Sequence, residues 1–174
     1  MSIYPVREDT LLLKENLQEQ NLKNKKFLEI GVGNGEISLT AAKKQANVTA
    51  VDINPEAVQH TQKRFKEQNL DAEIFQSNLF INIKGQYDFI VFNPPYLKGK
   101  KGIGDEEMWR GGETGLEVAE KYLKNVSDYL TENGKAWIIL SSQTNYEKLV
   151  EKYDLTEIDV EKIWFERLYL MEFE

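Results

Sequence analysis

The chain of 174 residues contains no cysteine, so disulfides, a thiolate nucleophile and any cysteine-based zinc site are excluded. Histidine is almost as scarce: His60 stands alone in a polar helical stretch, where it reads as a solvated surface residue, because a single imidazole cannot make a metal site. No apolar run reaches the length of a membrane span, and the N-terminus lacks the basic-then-apolar layout of a signal peptide, which makes the cytoplasm the expected location. Positive charge is in deficit, with a net charge of −7, which argues against the broad phosphate-binding face of a general nucleic-acid binder and favours protein or small-molecule substrates. With 41% hydrophobic residues there is enough for one core and little room for a second, so residues 1–174 are expected to form a single domain.

Proline is also rare, and two of the four prolines stand together. They fall in Asn93-Pro94-Pro95-Tyr96, directly after the apolar run Tyr87–Phe92. Each proline locks its own φ and restricts its predecessor, so this turn is stiff without help from its neighbours. Such a turn suits methyl transfer to a planar nitrogen. The lone pair of an amide or exocyclic amino group is delocalised, so the nitrogen must be held with its π face toward the methyl by two acceptors. The Asn93 side-chain carbonyl and the Pro94 backbone carbonyl supply them, and Tyr96 offers a flat face for the substrate. The plainer reading is a strand that stops at a Pro-Pro turn.

Apolar runs with β-branched character at Phe27–Ile30, Val48–Val51, Glu73–Phe75, Phe89–Phe92 and Ala136–Leu140 alternate with helical patterns at Glu36–Gln45, Pro55–Gln68, Glu113–Leu130 and Asn145–Lys152. The alternation predicts an α/β fold, a parallel sheet with helices on both faces. Leu155–Lys162 and Ile163–Phe173 predict an antiparallel pair at the end, and a helix from Asp9 to about Gln20 precedes the first strand, with Asp9 or Thr10 as its cap.

The first strand runs into Gly31-Val32-Gly33-Asn34-Gly35, a glycine turn that opens a helix and lets backbone approach a ligand. A dinucleotide fingerprint would place glycine or alanine at position 36; Glu36 stands where a pyrophosphate would sit, so a dinucleotide is disfavoured. S-adenosylmethionine, with a sulfonium and no phosphate, tolerates Glu29 and Glu36. Asp52, at the end of the second strand, is placed to accept from both ribose hydroxyls, a role that the glycine turn favours over the plainer one of a helix-start residue before Asn54-Pro55. Ser77-Asn78-Leu79-Phe80 lies where adenine would sit, or is an ordinary polar loop.

Tyr4-Pro5-Val6-Arg7-Glu8-Asp9-Thr10-Leu11-Leu12-Leu13, the glycine turn, Asp52-Ile53-Asn54-Pro55, Asn93-Pro94-Pro95-Tyr96 and Trp109-Arg110-Gly111-Gly112-Glu113-Thr114-Gly115 together resemble the HemK family of class I S-adenosylmethionine-dependent methyltransferases. The likeness runs from about Tyr4 to Phe173 and is narrowest to the short archaeal and eukaryotic branch that acts on class I translation release factors. It implies a Rossmann-like, seven-stranded, mostly parallel sheet with a C-terminal antiparallel hairpin, and methylation of the glutamine amide in a Gly-Gly-Gln motif. Asn93, Pro94 and Tyr96 would hold the substrate amide. Thr10, Glu29, Gly31, Gly33, Gly35, Asp52, Ile53, Asn78, Leu79 and Asn93 would line S-adenosylmethionine. Most members carry aspartate where this chain has Asn78, whose amide oxygen still accepts from adenine but without the charge, a loss of about 1 kcal/mol.

Bacterial relatives carry a further N-terminal helical domain, whereas here residues 1–24 are a short helical segment, so substrate choice is expected from the loop Leu97–Gly112, with Lys98, Lys100, Lys101, Asp105, Glu106, Glu107 and Trp109. The resemblance also implies a small zinc-binding activator protein, for which the third strand, around Glu73–Gln76, is the expected sheet edge. Two other readings compete: methylation of an exocyclic amino group of adenine or guanine in RNA or DNA, with the base flipped onto Tyr96, and a silent cofactor-binding scaffold, which would have no need of a rigid Asn-Pro-Pro-Tyr turn.

Overall fold

A computed structural model of the protein describes residues 3–96 and 113–174; the expected substrate loop Leu97–Gly112 lies outside the described residues. The order is α1 (Glu8–Gln18), β1 (Lys26–Ile30), α2 (Glu36–Lys43), β2 (Asn47–Asp52), α3 (Pro55–Glu67), β3 (Glu73–Gln76), β4 (Tyr87–Phe92), α4 (Glu117–Asn125), a 3-10 turn (Val126–Tyr129), β5 (Leu130–Ser141), α5 (Glu147–Tyr153), β6 (Thr156–Ile163) and β7 (Glu166–Phe173). The strands form one seven-stranded sheet in the order β3-β2-β1-β4-β5-β7-β6. β1 to β5 are parallel, and β7 runs antiparallel to both β5 and β6.

The pleat sorts the apolar residues between two cores. Phe27, Ala50, Val91, Ile139 and Leu170 pack with Leu13 and Leu17 of α1, Ile37 of α2 and Phe65 of α3. Their neighbours along the strands, including Leu28, Val51, Ile90, Ile138 and Met171, face Tyr122 and Leu123 of α4 and Leu149 of α5. Because both faces are covered, the inner strands carry nearly continuous apolar runs rather than alternating ones.

The α3 start follows from Asn54, whose side chain accepts from the Glu56 N–H at 3.0 Å, and from Pro55 in the first turn. Four boundaries differ from the sequence expectation. Helix α1 starts at Glu8 and neither Asp9 nor Thr10 caps it; Asp9 lies inside the first turn, buried, with its carboxylate taken by the Tyr4 hydroxyl and the Thr10 N–H. The helix predicted over Glu113–Leu130 is shorter, because Gly115 adopts φ +81 and the chain tightens into the 3-10 turn after Asn125. Strand β5 begins at Leu130, with an irregularity opposite Tyr87–Phe89 where residues 131–134 loop out before pairing resumes at Lys135. Finally, β7 begins at Glu166, because Trp164 and Phe165 form the turn from β6.

Trp137, fully buried on β5, packs edge-on against Phe89 at 4.8 Å and donates its indole N–H to Glu172 Oε2 at 2.7 Å. Glu172 also pairs with Lys135 at 3.0 Å. Replacing Glu172 with glutamine keeps an acceptor for the indole, whereas leucine strands the N–H and is expected to cost about 1–3 kcal/mol. Thermal denaturation checks this: Glu172→Leu should melt several degrees below both wild type and Glu172→Gln.

Candidate active site

Register brings the site together. Ile30 of β1 is level with Val51 of β2 on one side and Phe92 of β4 on the other, and Asp52 is level with Gln76 of β3. The residues that follow each strand, Gly31–Gly35, Asp52–Asn54, Ser77–Phe80 and Asn93–Tyr96, therefore form a row along the C-terminal ends of parallel strands, where open α/β sheets hold their ligands.

The glycine turn is tied to β2 by the Gly31 and Val32 N–H groups, which donate to Val51 O at 2.8 and 3.0 Å, and by the Gly33 N–H, which donates to Asp52 Oδ2 at 2.9 Å. Gly35 requires glycine on two counts: φ is +82, and a Cβ there would lie 2.6 Å from Thr61 Cγ2. Asp52 Oδ1 accepts from the Asn54 N–H at 2.8 Å. Burial raises the Asp52 pKa, and these backbone donors work against it. Ile53, next in line, is 59% exposed beside them.

The acids of the turn have separate fates. Glu36 is paired with Lys14 at 2.7 Å and Arg64 at 3.0 Å, and its pKa is lowered chiefly by the Lys14 bond. Glu29 is 6% exposed, accepts from the Ser38 N–H at 2.9 Å and from the Ser38 hydroxyl, and is pushed up to about 8 chiefly by desolvation, with Asp52 and Glu36 adding to the rise. With Glu36 neutralised, the acids left at the turn are Glu29 and Asp52. Glu29 holds its proton up to about 8, so Asp52 is the carboxylate placed to accept from ribose hydroxyls, and this donor set fits S-adenosylmethionine, which carries ribose hydroxyls and no phosphate.

On the β3 side of the row, Ser77 Oγ donates to Leu79 O at 3.0 Å, and Leu79 adopts φ +49, a left-handed conformation that a bulky residue rarely adopts. Asn78 is exposed beside it.

On the other side of the row, Pro94 is buried and Asn93 Oδ1 is buried without a hydrogen-bond partner among the described residues. It is the only such side-chain atom among them. Gly115 explains how the turn is backed, since a Cβ there would meet the Tyr96 carbonyl oxygen at 2.4 Å. The Tyr96 phenol is hydrogen-bonded with Tyr4, whose hydroxyl donates to Asp9; burial first, and then the Asp9 and Glu166 charges, raise the Tyr96 pKa. The N-terminal segment also crosses the glycine turn, where Asn34 Nδ2 donates to Tyr4 O at 3.0 Å, and Thr10 is buried in α1, where its N–H and hydroxyl donate to Asp9 Oδ1.

The glycine turn, Asp52, Ile53, Asn78, Leu79, Asn93, Pro94 and Tyr96 therefore lie in one row, Glu29 is on β1 next to it and Thr10 on α1, while the expected loop residues Lys98 to Trp109 lie outside the described residues. Sequence reasoning gave no role to Gly115, although it quoted the Gly-Gly-Glu-Thr-Gly run, nor to Tyr4, Ser38, Lys14 or Arg64, which act through contacts that spacing does not reveal. Among the described residues, no group of three or more histidine, aspartate or glutamate side chains could hold a metal ion, and no helix is long and apolar enough to cross a membrane.

Fold and cradle together define a class I methyltransferase, and solved neighbours with this fold hold S-adenosylmethionine or S-adenosylhomocysteine. Residues 5–161 match the Methyltransferase small domain family, and the chain belongs to it. A relative from Methanocaldococcus jannaschii, provisionally named a protein N5-glutamine methyltransferase, is 36% identical over 97% of this chain and 90% of its own length. The release factor glutamine methyltransferase of Streptococcus pneumoniae is 34% identical over 74% of this chain and 48% of its own. Among solved structures, the E. cuniculi Mtq2-Trm112 complex, responsible for methylation of the eRF1 translation termination factor, superposes with a TM-score of 0.81 at 23% identity, covering 100% of this chain and 99% of the matched one.

The raised Glu29 pKa has a defined sign. Between the ordinary carboxylate range and about 8, the folded chain holds a proton that the unfolded chain has lost, so the contribution of Glu29 to stability falls as pH rises through that window. Glu29→Gln removes this dependence. Melting curves should show the variant gaining on wild type from pH 5 to pH 8, by about 1 kcal/mol or more. Gly35→Ala is expected to destabilise by at least about 1 kcal/mol and to weaken S-adenosylmethionine binding, read by calorimetry.

Proposed function

We propose that the chain is an S-adenosylmethionine-dependent protein-glutamine N-methyltransferase acting on the Gly-Gly-Gln glutamine of a class I translation release factor. The observation that carries the proposal is the unpartnered, buried Asn93 Oδ1. A buried acceptor left unpaired costs about 1–3 kcal/mol, and a substrate NH2 group is the donor that would satisfy it. The relatives named for glutamine and for release factors support the choice of an amide over other planar nitrogens.

In this reading Asp52 holds the cofactor ribose, Ile53, Asn78 and Leu79 line its adenine, and Thr10, Glu29 and the glycine turn hold its amino-acid end. S-adenosylmethionine, when bound, supplies a methyl group made electrophilic by its sulfonium. Asn93 Oδ1 and the Pro94 carbonyl accept the two amide N–H bonds and fix the nitrogen's orientation, while Tyr96 packs against the amide plane. The net change replaces one N–H by N–CH3, and the proton leaves to water. Positioning by preorganised dipoles accounts for this chemistry, and no strong base is required.

A small activator, expected from the resemblance to bind zinc, is proposed to add to β3. That strand is an edge of the sheet and only four residues long, and the structural neighbour Mtq2 is held in a complex with Trm112. A second reading, an exocyclic amine of an RNA base, draws on a neighbour that is a 16S rRNA N2 G1207 methyltransferase and on relatives named ribosomal RNA small subunit methyltransferase C. The net charge of −7 opposes it, and RNA binding would show a steep salt dependence.

The test is transfer of labelled methyl to an intact release factor, with a Gly-Gly-Ala version as control. Label is expected only on the Gly-Gly-Gln substrate, and Asn93→Ala is expected to lower kcat by about 100-fold or more. Equal labelling of the two substrates would overturn the proposal.

A further inference from the structure

Strands β6 and β7 are joined by two residues, Trp164 and Phe165, which are 95% and 93% exposed. A two-residue hairpin with positive φ at its first position ordinarily carries glycine or asparagine there. Here Trp164 adopts φ +38. The two most exposed large apolar side chains among the described residues thus stand side by side, one of them in a conformation that tryptophan adopts only at a cost in backbone energy. Neither contributes to the core, so folding does not explain them.

Their position is specific. β7 runs antiparallel to β5, and Leu168 pairs with Ser141, the last residue of β5, so the tip projects from the same end of the sheet as the Asn93 turn. Gln143 Nε2 donates to Phe165 O at 3.4 Å, and the Ser142 N–H to Arg167 O at 2.9 Å, which fixes the tip against the end of β5. Glu166, the residue after Phe165, is near enough for its charge to contribute to the raised pKa of the Tyr96 phenol, after burial and Asp9.

Directly below the turn, Lys162 and Arg167 are cross-strand partners, an arrangement of like charges that weakens a hairpin unless an anion covers it. Trp164, Phe165, Lys162 and Arg167, with Ser142, Tyr169 and Glu166, whose carboxylate accepts from the Ser141 hydroxyl, line an open groove of about 420 Å³. Two exposed aromatics beside two basic side chains, with the one carboxylate among them tied back to Ser141, have the composition of a protein-binding hot spot.

We infer that the Trp164-Phe165 tip docks the protein substrate, its aromatic pair entering an apolar depression and Lys162 and Arg167 meeting carboxylates on the surface that flanks the modified loop. This rests on the glutamine-methyltransferase reading and deepens it by separating docking from chemistry: the Asn93 turn grips the side-chain amide, and the hairpin grips the folded body behind it.

The experiment compares wild type with Trp164→Ala/Phe165→Ala and, separately, Lys162→Glu/Arg167→Glu, on intact release factor and on a short peptide carrying Gly-Gly-Gln. Both double variants should raise KM for the intact protein by about tenfold or more with kcat within about twofold. Neither should raise KM for the peptide, which is too short to reach the tip. Melting temperature and S-adenosylmethionine affinity identify a variant that has lost its fold, and the second pair then decides. Wild-type transfer to release factor with KM unmoved in the folded variants overturns the docking site and leaves the proposed function standing. Absence of glutamine-dependent transfer by wild type overturns the function and the docking site with it. Sedimentation that shows a wild-type dimer turned monomeric by the aromatic variant assigns the tip to a second copy of the chain and overturns the proposal.

Discussion

The site depends on the central place of β1. Its last residue, Ile30, is held level with Val51 on one side and Phe92 on the other. Parallel ladders fix that alignment through evenly spaced hydrogen bonds, and a slip of one residue would turn every side chain on a strand to the opposite core. The glycine turn, Asp52 and Asn93 are thus positioned by strand pairing before any side chain in the site makes a bond. The Gly33 to Asp52 contact then ties one strand end to the next.

Around this row, charge is handled by neighbours distant in sequence. Glu36 would leave an uncompensated anion at the turn were it not held by Lys14 from α1 and Arg64 from α3. Those ion pairs also knit α1, α2 and α3 together over one face of the sheet. Asn34 adds a further tie, through Tyr4, to the N-terminal segment. The cradle and the packing of that face are one construction, tied together by these ion pairs and hydrogen bonds.

Much of this was legible in the sequence, and the pattern of what was not is physical. Continuous apolar runs gave β1, β2 and β4, because strands buried on both faces have no polar alternation to obscure them. Asn54-Pro55 gave the start of α3, because a cap and a first-turn proline act locally. Asp9 was misplaced as a cap because its partner, the Tyr4 hydroxyl, is chosen by tertiary packing. The β6–β7 turn was missed because Trp164 and Phe165 carry none of the small or polar character that marks a hairpin, so the second strand was read as starting at Ile163. The bulge at residues 131–134 was hidden by a strand signal that begins only at Ala136. At the site, strand ends and special residues placed Asn93, Asp52 and Asn78 in one row; Ser38 and Gly115 escaped because each matters only through an atom brought near by the fold.

The sheet has two unlike rims. β6, the longer, carries Glu157, Asp159, Glu161 and Lys162, and its pairing with β7 is irregular between Glu157 and Asp159. Charge and distorted register make it a poor template for another extended chain. β3 has only Glu73 to repel an incoming strand, beside Ile74, Phe75 and Gln76. Aggregation during synthesis or on partial unfolding should therefore begin from the β3 side, and how much of the chain a cell keeps in solution becomes a question of how soon that short rim is covered.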